Sequence, residues 1–141
     1  MAGTFSDYLE AKILDHVTGK TSFTMPTVYI GLSTADPTDD ESGWAEPTIP
    51  TGGYARIATT GADWDAATDP TGVTANAAAL SFPISTAAWS TGASNLTHFA
   101  AWDASSAGNM LWAADLTTPR AVNAADIILR FAIGDLDLTL A

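Results

Sequence analysis

The sequence predicts a mainly β protein, an antiparallel β-sandwich of jelly-roll type with one N-terminal α-helix. Apolar residues recur at helical spacing near the N-terminus, and short alternating runs typical of strands follow along the chain. Turn residues separate those runs, and no helices alternate with them, so a parallel α/β sheet is not expected. We expect a single domain over residues 1–141, because most domains contain about 100 to 150 residues.

The helix is predicted over residues 5–19. Apolar side chains recur every three or four positions and form one face: Phe5, Tyr8, Leu9, Ile13, Leu14 and Val17. Thr4 or Ser6 is expected to cap the first turn, and Gly19 is expected to end the last one. An apolar face on a short helix predicts docking, and we take Tyr8 and Lys12 as candidate contacts to a partner protein.

The sandwich is predicted over residues 27–141. Its first strand is expected around Val28–Leu32, where apolar residues alternate with Tyr, Gly and Ser. Residues 35–53 are dense in Pro, Gly and Asp and predict a long, exposed acidic loop. The candidate partner contacts in this loop are Asp36, Asp39, Asp40, Glu41 and Trp44. For Trp44, contact with a partner and local packing both remain open.

Further strands are predicted at residues 54–60, 73–80, 81–84, 97–102, 110–116, 127–133 and 136–140. A turn-rich segment containing Gly108 and Asn109 joins 97–102 to 110–116, so these two strands are expected to pair antiparallel. Trp102 and Trp112 lie in them and are expected in the core.

The composition excludes several functions. The net charge of −11 argues against nucleic acid as a partner, and the chain lacks Cys, so thiolate catalysis and Cys-based metal sites are ruled out. We expect no membrane span, because no apolar run approaches about 20 residues. An acidic surface favours solubility and can steer the protein toward a basic patch on another protein.

The sequence contains no recognisable catalytic motif, and we expect neither enzymatic activity nor a cofactor. His16 and His98 lack metal-ligand spacing and are interpreted as structural, with a ring nitrogen of His98 satisfying a backbone group. The acidic loop does not match a calcium-binding pattern, although its oxygen ligands leave weak calcium binding as an alternative to a solvated loop.

Two carboxylate pairs and the tryptophans leave a carbohydrate hypothesis open. Asp63 and Asp65 flank Trp64, and Asp135 and Asp137 flank Leu136, spacings also found in glycosidases. Without a visible cleft, these pairs are interpreted as ordinary surface carboxylates. Exposed tryptophans can stack on sugars, which makes a carbohydrate-binding module the third function considered.

Several segments match a known family in order. These are Ser-Asp-Tyr-Leu-Glu-x-Lys-Ile-Leu-Asp-His at 6–16, Val-Tyr-Ile-Gly-Leu-Ser-Thr-Ala-Asp-Pro-Thr at 28–38, Gly-Gly-Tyr-Ala-Arg at 52–56, Thr-His-Phe-Ala at 97–100, Gly-Asn-Met-Leu at 108–111, Ala-Val-Asn-Ala-Ala-Asp at 121–126 and Gly-Asp-Leu-Asp-Leu-Thr-Leu at 134–140. The chain thus resembles a family of small tailed-phage virion proteins, which are labelled tail fibre or minor tail proteins. Virion proteins of this size and type also serve as capsid cement.

The resemblance implies a structural protein of the virion that is assembled in the host cytoplasm. Our first hypothesis is a capsid decoration or cement protein that bridges major capsid subunits, because one compact domain without heptads is poorly suited to a fibre shaft. A tail-tip, collar or fibre-associated component is the alternative. A homo-oligomer is expected in either case, and a trimer is favoured.

Overall fold

The computed structural model describes residues 3–90 and 94–139, which form one α-helix and nine β-strands. The elements are β1 (Thr4–Phe5), α1 (Asp7–Val17), β2 (Val28–Ser33), β3 (Ile57–Thr59), β4 (Val73–Ala75), β5 (Leu80–Ser81), β6 (Leu96–Trp102), β7 (Met110–Arg120), β8 (Arg130–Phe131) and β9 (Asp137–Thr139). Every strand pair is antiparallel. The predicted mainly β, antiparallel fold with one N-terminal helix is therefore confirmed.

Five strands form the main sheet in the order β1-β7-β6-β2-β3. Its centre is the hairpin β6–β7, in which Phe99 lies opposite Ala114 and Ala101 opposite Trp112. The remaining strands form two ribbons, β4–β9 and β5–β8. The antiparallel pairing expected for 97–102 and 110–116 is confirmed.

The main core lies between the inner face of the main sheet and the two ribbons. Ile30, Leu32 and Phe99 from the sheet share one buried cluster with Phe131 and Leu138 from the ribbons. Removing such side chains from water is the dominant stabilising contribution, at about 25 cal/mol per Å² of apolar surface.

The outer face of the main sheet carries a second, smaller buried cluster of Ala100, Trp102, Met110 and Ala113, packed against Tyr29 and Trp44. The small residues leave room above the sheet for a covering segment. Trp102 and Trp112 are 4% and 7% exposed, so both are buried as predicted, but on opposite faces of the sheet.

The prediction that the helix starts at residue 5 is wrong. Phe5 is extended and pairs with Trp112 of β7, and the helix starts at Asp7 after the extended cap Ser6. The Ser6 hydroxyl accepts a hydrogen bond from the Leu9 backbone N–H at 3.2 Å and donates to the Met110 carbonyl. Gly19 has a φ of +73°, which fits its predicted role at the C-terminal end.

The predicted apolar face of the helix is buried only in part. Leu9 is buried and Ile13 half-buried, but Leu14 and Val17 are 62% and 69% exposed. The helix contacts β1 and β7 of the sheet, and its last turn is hydrogen-bonded to the following segment, where the Phe23 N–H donates to His16.

Several predicted strands are shorter than expected. Of the strand predicted at residues 54–60, only β3 forms, and of the strand predicted at 127–133, only β8 forms. The strand predicted at 73–80 is divided into β4 and β5, and of residues 81–84 only Ser81 is in a strand. The strand predicted at 136–140 is β9, and Leu140 lies outside the described residues.

A buried polar side chain lies where the predicted strand 73–80 divides. Asn76 is fully buried, and its amide nitrogen donates to the carbonyls of Ala78 (2.8 Å) and Ala132 (2.7 Å). Its carbonyl oxygen accepts from the Leu136 N–H at 2.8 Å. The Asn76 side chain therefore supplies hydrogen bonds that a continuous ladder would otherwise supply.

Candidate interaction surface

The acidic loop (residues 35–53) is not a freely exposed loop, because it packs across the outer face of the main sheet. The Trp44 and Trp102 rings lie 5.2 Å apart. The Met110 N–H donates to the Glu41 carboxylate at 2.8 Å, and the Asp7 N–H donates to the Asp39 carbonyl at 3.1 Å. These contacts attach the loop to the sheet, to the β6–β7 hairpin and to the start of α1.

A buried ion pair fixes the second half of the loop. Arg56 donates from Nε and Nη2 to the two oxygens of Glu46, at 2.8 and 2.7 Å. The two side chains are 3% and 12% exposed, respectively. Two parallel hydrogen bonds between guanidinium and carboxylate form the strongest common type of ion pair, because geometry and charge both match.

The same arginine also holds the β6–β7 connection. Arg56 Nη1 donates to the carbonyls of Ala104 (3.0 Å) and Ala107 (2.8 Å). Its guanidinium carbon lies 3.9 Å from the centre of the Trp102 ring, within the range of a cation–π interaction. One side chain thus joins the acidic loop, the sheet and the hairpin tip.

Tyr54 completes this cluster. The Tyr54 hydroxyl donates to Glu46 at 2.8 Å and accepts a hydrogen bond from the Leu32 N–H at 2.9 Å. Leu32 lies in the part of β2 that does not pair with β3. Burial raises the pKa of Tyr54 well above its usual value, and the negative charge of Glu46 adds to the shift. The phenol therefore remains a neutral hydrogen-bond donor at physiological pH.

The close approach of the loop requires Gly31 on β2. A Cβ there would lie 2.8 Å from Glu46 Oε1, 3.1 Å from the Trp44 ring and 3.3 Å from Arg56 Nε. Trp44 itself is half-buried, and its indole N–H donates to Glu46 at 3.2 Å. The structure thus shows local packing for Trp44, whereas its role as a partner contact stays a prediction.

The predicted contact carboxylates of the loop lie in different environments. Asp36 accepts the Thr38 N–H at 3.0 Å, and Asp40 is exposed. Hydrogen bonds from the hydroxyls of Thr38 and Ser42 lower the pKa of Asp40 to about 2. Among the residues that the structure describes, no three or more His, Asp or Glu side chains come together to hold a metal ion.

Asp36 and Asp39 line a cavity of about 370 Å³, here called the acidic cleft, between the loop and β7. His98 and Asp115 form its opposite wall, with His98 Nε2 2.6 Å from Asp115 Oδ1. His98 Nδ1 lies 2.8 Å from the Thr97 hydroxyl. The expectation that a ring nitrogen of His98 satisfies a backbone group is wrong, because both nitrogens contact side chains.

The two candidate contacts on the helix lie together on one side of α1. Lys12 Nζ is 5.3 Å from the centre of the Tyr8 ring, and both line a shallow pocket of about 180 Å³ with Asp15 and Phe23. His16, near the end of the helix, accepts the Phe23 N–H at 3.1 Å through Nδ1. The structure does not bring Tyr8 and Lys12 together with the carboxylates of the acidic cleft.

An apolar groove runs beneath the helix. Two cavities of about 360 and 520 Å³ share Met25, which is 51% exposed. Ile13 and Trp112 line the first cavity, and Val28 and Trp64 line the second. None of the described lining residues is charged, in a chain with sixteen acidic residues.

One carboxylate of each pair, Asp63 and Asp135, has a clear structural role. Asp63 accepts hydrogen bonds from the backbone (2.8 Å) and hydroxyl (2.9 Å) of Thr60 and so caps a short 3-10 turn. Asp135 accepts the Ala132 N–H at 2.8 Å and lies 3.4 Å from Arg120. Asp63 and Asp65 line neither the acidic cleft nor the apolar groove, whereas Asp135 and Asp137 both line a separate cavity of about 220 Å³ together with Arg120.

Sequence reasoning missed the Glu46–Arg56 pair and the acidic cleft. A weak signal for the pair was present, because Tyr54 and Arg56 are two residues apart and therefore share one side of an extended chain. Asp115 carried no local signal, since its partner His98 lies on the neighbouring strand.

No helix in the described part of the chain is long and apolar enough to cross a membrane. The family model described as podophage GP4 fiber I protein gp80 matches residues 4–139. No curated protein matches the chain. The family match extends from the first strand to the last and so includes the loop, cleft and groove described above.

Proposed function

We propose that this chain, which belongs to the podophage GP4 fiber I protein gp80 family, acts as a subunit of a phage fibre or of its attachment site. Membership makes it a structural component of the virion that contacts other virion proteins. The observation that carries the proposal is the family match over residues 4–139, because it covers the fold itself and not one motif.

The surface is consistent with a protein that works by contact. The exposed end of α1 presents Leu14 and Val17, and the apolar groove beside it is accessible at Met25. Exposed apolar patches are typical of sites that bind another protein. The proposed role therefore needs no chemistry beyond docking.

Capsid decoration is the second candidate, in which the partner is the major capsid protein and three copies surround a local threefold axis. Two observations favour it. The helix in the described residues is eleven residues long and offers no coiled-coil shaft, and the net charge of −11 suits a basic patch on a shell. Many identical weak contacts over a shell would give high avidity.

The two candidates differ in copy number. Quantitative mass spectrometry of purified virions, with the major capsid protein and the portal protein as internal standards, should give a small number of copies for a fibre component. Immunogold labelling should then place the protein at the tail. A ratio near one copy per capsid subunit would replace the fibre proposal with decoration, and absence from washed particles would contradict both.

The proposal gives the chain no catalytic role. Asp63 and Asp65 are the carboxylates that a glycosidase hypothesis would use, and Asp63 instead caps a turn. Phage carrying both Asp63→Asn and Asp65→Asn should adsorb and clear host cells like the parent. Loss of cell-wall lysis with normal particle assembly would contradict a purely structural role.

A further inference from the structure

The β5–β8 ribbon is longer than its two strands. β5 and β8 pair over two residues each. Backbone hydrogen bonds continue past this pairing, where the Phe82 N–H donates to the Leu129 carbonyl at 2.9 Å and the Ser85 N–H donates to the Ile127 carbonyl at 2.9 Å. The two segments of chain therefore run side by side, antiparallel, well beyond the strands themselves.

This ribbon has one buried side and one exposed side. Leu129 and Phe131 are buried in the main core, whereas Ile128 and Arg130 between and beside them are exposed. Successive side chains of an extended chain point to opposite sides, so Ile128 and Arg130 share the side that faces away from the core. Ile128 is 60% exposed, and Ile84 on the other segment is 50% exposed. Exposed apolar side chains of this size are typical of a contact surface.

The charge of the ribbon differs from that of the whole chain, which is −11. In the segments 79–86 and 126–133, the acidic residue is Asp126 and the basic residue is Arg130. They lie two positions before and two positions after Ile128, each within about 7 Å of it along the chain. Among the described residues, neither of these two exposed side chains forms an ion pair. The surface formed by Ile84, Asp126, Ile128 and Arg130 is here called the ribbon face.

The order of charges on the ribbon face is complementary to itself. A twofold contact uses the same surface on both copies of a chain. With a twofold axis at Ile128, the two segments run antiparallel, so Arg130 of each copy lies over Asp126 of the other and the two Ile128 side chains meet at the centre. Both ion pairs are attractive, whereas most other surfaces of a chain with a charge of −11 would repel their own copies.

We infer that the ribbon face is a contact between two copies of this chain, with Ile128 on the twofold axis and two equivalent ion pairs between Arg130 and Asp126. The isoleucines supply an apolar centre and the charges a polar rim, the usual composition of a protein interface. The acidic cleft lies on the outer face of the main sheet, across the main core from the ribbon face, and stays free for another partner. The contact goes beyond the proposed function, because it applies to a fibre component and to a decoration protein alike.

Sedimentation velocity on the full chain, from about 10 μM to about 1 mM protein, tests for the contact. The salt concentration should be about 0.15 M, where a screening length of about 8 Å weakens the repulsion between the two net charges but not the ion pairs in contact. The average mass should rise with concentration toward twice the 14.6 kDa of one chain. A monomer at about 1 mM would overturn the inference, and so would an assembly that closes at three copies.

A substitution on the axis tests the location. Ile128→Asp places two carboxylates next to each other at the centre of the contact and should weaken dimerisation about tenfold or more. Val17→Asp is the matched control, because it adds the same charge at a β-branched side chain that is 69% exposed on α1. The control should change the dissociation constant by less than about twofold. Equal effects of the two substitutions would show a response to net charge alone and would overturn the inference.

Exchange of the two charges tests the pairing. Arg130→Asp and Asp126→Arg should each weaken dimerisation, and the variant that carries both should recover it, because every ion pair is restored with its sign reversed. A mixture of the two single variants should also form a pair more tightly than either variant alone. No recovery in the double variant or in the mixture, with all variants folded by circular dichroism, would overturn the inference.

A second set of variants covers the backbone at Asp126, whose φ of +63° favours Asp, Asn and Gly over Arg. Asp126→Asn and Arg130→Gln should each weaken dimerisation about two- to twentyfold, since each removes two ion pairs that contribute up to about fivefold apiece. Both changes together should weaken it no more than either alone, and additive losses would overturn the inference. A monomeric protein would leave the copy number in virions unchanged, so failure of this inference and failure of the proposed function are distinguishable.

Discussion

Replacing Arg56 with Met should destabilise the protein more than any surface charge substitution. Met approximates the length of the aliphatic stem but removes both hydrogen bonds to Glu46, of 2.8 and 2.7 Å. It also removes the donors to Ala104 and Ala107 and the cation over the Trp102 ring. Among the described residues, the Glu46 carboxylate, 12% exposed, then keeps only the hydroxyl of Tyr54 and the indole of Trp44 as side-chain donors.

The magnitude follows from the burial of the pair. Removing one partner of a buried ion pair costs about 3–5 kcal/mol, because the remaining charge stays desolvated. For a chain of 141 residues this corresponds to a fall in Tm of about 10–15 °C. Replacing both partners, as in Glu46→Gln with Arg56→Met, should cost less than the sum of the single changes, with a coupling of about 1–3 kcal/mol.

Urea denaturation followed by tryptophan fluorescence measures these free energies, since Trp44 and Trp102 both lie at the cluster. Arg130→Met is the matched control, because Arg130 is exposed, and it should change stability by less than about 0.5 kcal/mol. A loss below about 1 kcal/mol for Arg56→Met, or additivity of Glu46→Gln and Arg56→Met, would refute the reasoning that the pair is buried and coupled.

Three further predictions concern the loop and the helix. Gly31→Ala should lower the free energy of unfolding by about 1–3 kcal/mol, because the added Cβ would collide with side chains of the acidic loop. The control Gly61→Ala, where nothing lies within 4 Å of the added Cβ, should be near neutral in the same urea titration. Ser6→Ala should cost about 1–2 kcal/mol by removing the cap of α1, and an unchanged midpoint would contradict that role. NMR titration should give Asp40 a pKa of about 2. The hydrogen bonds to the Asp40 carboxylate therefore stabilise the loop above about pH 4, and this stabilisation is lost as the pH falls toward 2. Thr38→Ala should raise the pKa of Asp40 toward 3.8, whereas Thr38→Ser, which keeps the hydroxyl, should not.

Alternating apolar residues and turn residues correctly predicted the strands whose formation depends on local sequence. The alternation in Val28–Ser33 and the turn residues between β6 and β7 identified strands that the structure contains. The extended state of Phe5 was not predictable in this way, because a two-residue strand forms only through its pairing with Trp112. The split of 73–80 likewise depends on Asn76, whose partners Ala132 and Leu136 are distant in sequence.

The sequence predicted which segments contain the candidate contact residues, but not which of these residues lie together in the folded protein. The composition of the acidic loop indicated its carboxylates, and the helical period indicated Tyr8 and Lys12. The grouping of Asp36 and Asp39 with Asp115 depends on the loop packing against β7, a contact between residues that are distant in sequence. Whether these residues contact a partner stays a prediction.

The hydrogen bonds from Arg56 to the β6–β7 connection have a practical consequence for labelling the particle. A hairpin tip is normally a safe place to insert an epitope or a fluorophore-binding peptide, but here the carbonyls of Ala104 and Ala107 are occupied, and lengthening the tip would pull them from the guanidinium. Among the described residues, the exposed turn at 66–71 makes no hydrogen bond to Glu46 or Arg56. An inserted tag at this turn should leave the acidic loop and the acidic cleft intact for imaging.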